Sequence, residues 1–193
     1  ILIIDEITSG WRVNNGGAYK SYNLKPDIVV YGKSIGNGFP ITAIIGKKKV
    51  MEFAQDTFIS SSFWTESTGF AAAIKTLEIF TKKNVSKFLI EKGNYIGENW
   101  KKIAKDLDLS IEVNNFKPLI TFKFLNFSNQ DEINTLFTQE MLIRGFLATN
   151  SVYLSFAHKQ KFIDLYLKNF KEVAKIISTN RHNITKLILG KIK

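Results

Sequence analysis

The chain has 193 residues, 45% hydrophobic, 13% aromatic and 23% charged, which excludes a disordered tail or a fibrous repeat and describes a globular chain. Its 27 Lys plus Arg against 17 Asp plus Glu leave a formal charge of +10, a balance that raises nucleic acid or a membrane surface as partners. Without cysteine it can form no disulfide, thiolate metal centre or thiol nucleophile, and it has no apolar run of the roughly 20 residues that span a bilayer. The setting expected from these features is the cytoplasm.

The chain opens on Ile1-Leu2-Ile3-Ile4, which reads as a strand buried on both faces. A core strand of a parallel sheet needs neighbours reached through crossovers, so a missing N-terminal part is expected. Residues 8–27 are rich in Gly, Asn and Tyr, with Asn15-Gly16-Gly17 as a turn signal, and read as a long surface loop. Ile28–Tyr31 is a second short buried strand, ended by Gly32 and followed by Lys33, and Ala43–Gly46 is a third. After a polar turn at Lys47-Lys48-Lys49 and an extended serine segment, the period becomes helical from Ser67, with Phe70, Ile74 and Leu77 on one face and Ser67 or Thr68 as N-cap.

An apolar stripe through Val85, Leu89, Ile96, Trp100, Ile103 and Leu107 predicts a long helix suited to joining two domains. Strands are predicted at 110–113 and 119–124, a helix near 132–143, short strands around Phe146 and 152–155, and a helix with Phe162, Tyr166, Phe170, Val173 and Ile177 on one face. The stretch 183–193 alternates apolar and basic residues and fits no element. Residues 84–193 read as a small α+β domain.

Asp5 and Lys33 stand at the carboxyl ends of two different strands, where open α/β sheets bind ligands. A lysine in a buried cleft loses ammonium solvation, its pKa falls, and its neutral amine can attack a carbonyl to make a Schiff base. An aspartate in the same cleft can keep a heterocyclic nitrogen protonated. Those are the two groups that a pyridoxal phosphate enzyme has to provide. The plainer reading is a loop-capping carboxylate and a solvated turn lysine, and spacing alone does not separate the two.

Together, Leu2-Ile3-Ile4-Asp5-Glu6-Ile7-Thr8-Ser9-Gly10-Trp11-Arg12, Lys25-Pro26-Asp27-Ile28-Val29-Val30-Tyr31-Gly32-Lys33 and Gly36-Asn37-Gly38-Phe39-Pro40-Ile41 resemble the signature of class III pyridoxal phosphate aminotransferases, which have fold type I. The resemblance implies an α/β organisation in which residues 1–83 are the end of a large domain with a mostly parallel sheet and helices, and 84–193 an interdomain helix and a small α+β domain. It implies pyridoxal 5'-phosphate as cofactor, with Asp5 paired to the pyridine nitrogen and Ile7 against the ring face. Lys33 would form the Schiff base and then move the proton between the substrate carbon and the cofactor.

Ser60–Glu66 resembles the family loop that brings a hydroxyl to the cofactor phosphate of a neighbouring subunit. Ser62 aligns with that hydroxyl, with Ser61 and Thr65 as the other matches, and a homodimer with shared active sites is implied. Tyr153–His158 and the helix after it resemble the glutamate-1-semialdehyde aminomutase-like branch. There His158 reads as a capping or packing histidine rather than a base, and His182 has less claim. The arginine pattern of the ornithine and ω-amino acid branches is not evident.

Family members carry the main phosphate turn and the stacking aromatic well before the Asp-Glu motif, so this polypeptide alone is expected to bind the cofactor poorly. Trp64 and Glu66 could touch substrate, but packing and loop solubility are the stronger readings, and Glu6 reads as a structural hydrogen-bonding residue. The expected partners are small-molecule amino donors and acceptors, and the same groups would serve a transaminase or an intramolecular aminomutase. The rival readings are an inactive fragment and a basic RNA-binding module. Against the latter, 24 of the 27 basic residues are lysine, whereas recognition of bases and phosphates by fork geometry favours arginine. Lysines such as Lys82, Lys83, Lys101, Lys102 and Lys105 fall on polar helix faces, so neither nucleic acid nor membrane is expected as a partner.

Overall fold

The computed structural model describes residues 1–190, and the last three residues of the 183–193 stretch lie outside the described residues. The chain divides into two compact units, Ile1–Phe88 and Leu89 onward. In the first, β1 (Ile3–Asp5) pairs in parallel with β2 (Ile28–Tyr31), with Asp5 opposite Val30. β2 in turn pairs antiparallel with β3 (Ala43–Gly46), with Tyr31 opposite Ala43. The crossover between β1 and β2 is built from turns and one 3₁₀ segment, Ala18–Tyr22. Since β1 and β2 run the same way, both end at one edge of the sheet.

The opposite edge is pinned by Asp27. Its Oδ2 accepts from the Leu2 N–H at 2.7 Å and its Oδ1 from Lys47 Nζ at 2.8 Å, which ties the starts of β1 and β2 to the residue after β3. The Lys47 hydrogen bond and the Leu2 N–H hold this carboxyl below the usual aspartate range.

After β3 comes one helical turn, α1 (Lys48–Met51), and then α2 (Thr68–Lys82). Val29 and Tyr31 point to the same side of β2 and form the core of this unit with Ile35 and Ala73, flanked by Trp11, Tyr19, Ile41 and Leu77. Two predicted burials are not met. Ile3 is 59% exposed, because β1 is an edge strand with one partner among the described residues, and Phe70 and Ile74 on α2 are 56% and 70% exposed. The face of α2 that packs inward carries Gly69, Ala73 and Phe80 instead. A helix apolar on both sides has more apolar surface than one small sheet can cover.

In the second unit β4 (Ile111–Val113), β5 (Leu119–Phe124) and β6 (Ser151–Tyr153) form an antiparallel sheet in that order. Its helical layer comprises α3 (Val85–Asp106, from Leu89 on), α4 (Gln130–Ile143) and α5 (Gln160–Thr179). The fully buried Trp100 of α3 sits edge-on to Phe122 at 4.7 Å between ring centroids and 5.8 Å from Phe170, with Phe124 and Phe137 completing an aromatic core. Asn129 caps α4, its side chain accepting from the N–H groups of Asp131 and Glu132.

Phe146 is not a strand residue. Gly145 ends α4 at φ +81°, and the Phe146 N–H is spent on the Met141 carbonyl. Phe162 lies one position off the buried stripe of Ile163, Tyr166, Leu167 and Phe170 and is half exposed. The tail that fitted no element turns back onto α4: Thr185 Oγ1 donates to Glu132, and Gln139 bonds the Leu187 carbonyl and the Leu189 N–H. Among the described residues no helix is long and apolar enough to cross a membrane.

Candidate active site

The parallel pairing of β1 and β2 sets Asp5 and Lys33 at one edge of the sheet. Asp5 is the last residue of β1, and Lys33 follows Gly32, which ends β2. Asp5 Oδ1 accepts from the Ile7 N–H at 2.8 Å, which fixes the carboxylate, while Oδ2 has no hydrogen bond among the described residues. Lys33 adopts a left-handed backbone, φ +41°, at the start of a 3₁₀ turn. Its Nζ donates to Thr8 Oγ1 at 2.6 Å.

Ile7 lies against Gly32. A Cβ added there would stand 3.3 Å from Ile7 Cγ2, so a side chain at 32 would press on Ile7. Asp5 and Lys33 are both exposed, and the buried cleft expected for the lysine is not formed by this chain. The hydrogen-bond partners of both side chains among the described residues, Ile7 and Thr8, come from the loop after β1.

Glu6 organises that loop and is 1% exposed. Its N–H donates to the Val30 carbonyl at 2.8 Å, which carries the β1–β2 ladder one residue further, and its own carbonyl accepts from the Gly10 N–H at 2.8 Å. Its carboxylate accepts from the Tyr19 N–H at 2.8 Å and from the Ser9 hydroxyl. The loop closes around it so tightly that a Cβ at Gly17 would lie 2.6 Å from Glu6 Oε1. The predicted surface loop is therefore a folded wrap around a buried carboxylate, with Gly10, Gly16 and Gly17 buried. Beside it the Tyr31 phenol is pushed far above the ordinary tyrosine range, first by burial and then by its hydrogen bond with Tyr19 and the Glu6 charge.

Of the residues singled out from the sequence, Asp5, Ile7 and Lys33 are brought together and Ser62 is not. Ser62 lies in an exposed turn before α2, and no hydrogen bond links it to Asp5 or Lys33 among the described residues. Ser61 Oγ accepts from the Phe63 N–H at 3.3 Å. Glu66 is the side chain that caps α2. Its Oε1 accepts from the Thr68 hydroxyl at 2.5 Å and N–H at 2.6 Å, which holds the carboxyl below its usual range, while Ser67 makes no side-chain cap bond. Trp64 is exposed.

In the second unit, His158 Nδ1 lies 3.0 Å from the Ser155 N–H and 2.9 Å from its hydroxyl, bound within its own loop, and His182 is exposed after α5. Among the described residues no group of three or more His, Asp or Glu could hold a metal. The residue that sequence reasoning missed is Thr8. The one available signal was a hydroxyl three residues after Asp5, which by itself indicates nothing.

The profile of the family "Aminotransferase class-III" matches residues 1–164. The chain belongs to the class III aminotransferase family. It is 36% identical over 126 residues to the 3-aminobutyryl-CoA aminotransferase of Cloacimonas acidaminovorans (strain Evry), covering 64% of this chain and 30% of that protein. It is 30% identical over 193 residues to the glutamate-1-semialdehyde 2,1-aminomutase of Sulfurihydrogenibium azorense, covering 92% of this chain and 45% of the relative. The chain thus spans less than half the length of these curated relatives. Among solved structures, the FumI protein of Sphingopyxis sp. MTA144, in a PLP form, superposes with a TM-score of 0.85 over 92% of this chain and 43% of its own at 23% identity. An omega-transaminase from Sphaerobacter thermophilus gives 0.82 over 93% and 45% at 18% identity. At these identities the likeness is one of fold, and the fold is that of the fold type I transaminases.

Proposed function

We propose that this chain carries the lysine and the ring-nitrogen carboxylate of an enzyme that moves an amino group with pyridoxal 5'-phosphate. The observation that supports the reading is the junction at the shared strand edge. There an aspartate with one oxygen unpartnered, a branched side chain lying on a glycine, and a lysine amine converge from two parallel strands. These groups fit the cofactor's ring end, ring face and aldehyde end. Bound there, pyridoxal phosphate supplies an aldehyde for an amine to condense with and a ring that draws electrons from the substrate carbon.

Each residue then has a task. Asp5, braced through Oδ1 by the Ile7 N–H, offers its other oxygen to a protonated ring nitrogen. Ile7 packs on the ring face. The Lys33 amine would serve as the nucleophile toward the cofactor's aldehyde and as the general acid and base that moves the proton at the substrate carbon. Ser62, exposed in its turn, supplies a hydroxyl to the phosphate held by a second copy of the chain. We accordingly read the protein as a homodimer with shared sites, working on small-molecule amino donors and acceptors in the cytoplasm. The exposed Ile3, Ile44, Ile45, Phe70 and Ile74 support a partnered surface. Residues 1–83 would be the large-domain portion and 84–193 the interdomain helix with the small domain.

Lys33→Ala tests the assignment: amino transfer should be abolished, and turnover that survives it would refute the reading. The second reading, an intramolecular aminomutase, is favoured by the match to the Sulfurihydrogenibium azorense aminomutase across 92% of this chain. Product analysis with a single substrate and no acceptor separates the two.

A further inference from the structure

We propose that Thr8 is a positioning residue for Lys33, holding the lysine amine at the strand edge whenever it is not covalently engaged. This rests on the assignment of Lys33 above and adds a residue to it. The contact spans 25 positions in sequence and joins the loops after two different strands, at 2.6 Å from Nζ to Oγ1. Thr8 is itself fixed from its surroundings. Arg12 Nε donates to its carbonyl at 2.7 Å, and the Gly10 N–H to Glu6 carbonyl bond closes the backbone around it.

Lys33 itself is exposed, and among the described residues its side-chain hydrogen bond is the one to Thr8. Four methylene groups leave the amine wide rotamer freedom, which a single fixed acceptor can remove. In a site where one amine must act as nucleophile and then as proton carrier, that freedom lengthens the search for the reacting atom, so a fixed acceptor raises effective concentration there. From a left-handed backbone the Lys33 side chain reaches the loop after β1, where Thr8 is the hydroxyl that meets it. Asp5 sits three residues before Thr8 and is bonded to the Ile7 N–H, so the carboxylate is anchored on the residue next to the lysine's acceptor.

The test compares Thr8→Val, which keeps the branched shape and removes the hydroxyl, with Thr8→Ser, which keeps the hydroxyl. In cofactor-free protein labelled with ¹⁵N-lysine, the Lys33 ammonium signal is assigned by its loss in Lys33→Arg. It should exchange with water several-fold faster in Thr8→Val and remain slow in Thr8→Ser. In the loaded enzyme, Thr8→Val should lower kcat by roughly tenfold, the scale of one hydrogen bond to a charged group, with KM within about twofold, and Thr8→Ser should restore it. Ammonium exchange unchanged in Thr8→Val would overturn the proposal. Turnover persisting in Lys33→Ala would instead overturn the assignment of the lysine, which the exchange measurement does not touch.

Discussion

Glu6 is buried at 1% exposure and accepts from the Tyr19 N–H and the Ser9 hydroxyl, so its carboxylate replaces the water that those donors would otherwise bind. Removing it leaves two donors unsatisfied. Glu6→Ala should cost about 2–4 kcal/mol in urea unfolding, and Glu6→Gln less, because its amide oxygen still serves the Tyr19 N–H. Asp5 is a different kind of carboxylate, exposed and bonded on one oxygen. Asp5→Asn should leave stability nearly unchanged and lower amino transfer on the order of a hundredfold, as the loss of one charge that stabilises the reacting state does. Asp5, Ile7 and Lys33 were legible from their motifs because strand ends position them through backbone pairing. Thr8 was not, since its contact depends on how the loop closes around Glu6, and no local pattern encodes that closure.

At the scale of elements, the Asp27 clamp ties the starts of β1 and β2 to the end of β3 through two charge-assisted contacts. Because the folded carboxyl sits below its unfolded range, the stabilisation is present above the ordinary aspartate pKa and is lost as pH falls through the lower, folded value. Acid titration of wild type should show the first unit loosening in that window, and Asp27→Asn should flatten this limb while leaving the neutral baseline slightly lower. In the second unit, Trp100→Ala should cost about 3–5 kcal/mol in denaturant unfolding, since the indole fills the centre of the aromatic core. The helical periodicity of α3 and the alternation of β5 were readable directly. α2 was not, because a helix with apolar residues on both faces gives a stripe without saying which side packs inward. Phe146 misled for a simpler reason: an aromatic after a glycine looks like a strand start, yet its N–H closes the end of α4.

At the scale of the whole molecule, Ile3, Ile44, Ile45, Phe70 and Ile74 are each exposed in the first unit, Ile44 and Ile45 on opposite faces of β3. The chain covers 45% of the aminomutase it matches across most of its own length. Light scattering of the protein as the cell makes it should give the mass of a dimer, and a monomer's mass would count against the shared-site reading. The most direct measurement is borohydride reduction of that protein after incubation with pyridoxal 5'-phosphate, followed by peptide mass mapping. The cofactor mass should be found on Lys33 and disappear in Lys33→Ala. Cofactor trapped specifically on another lysine, with Lys33 unmodified, would contradict the assignment.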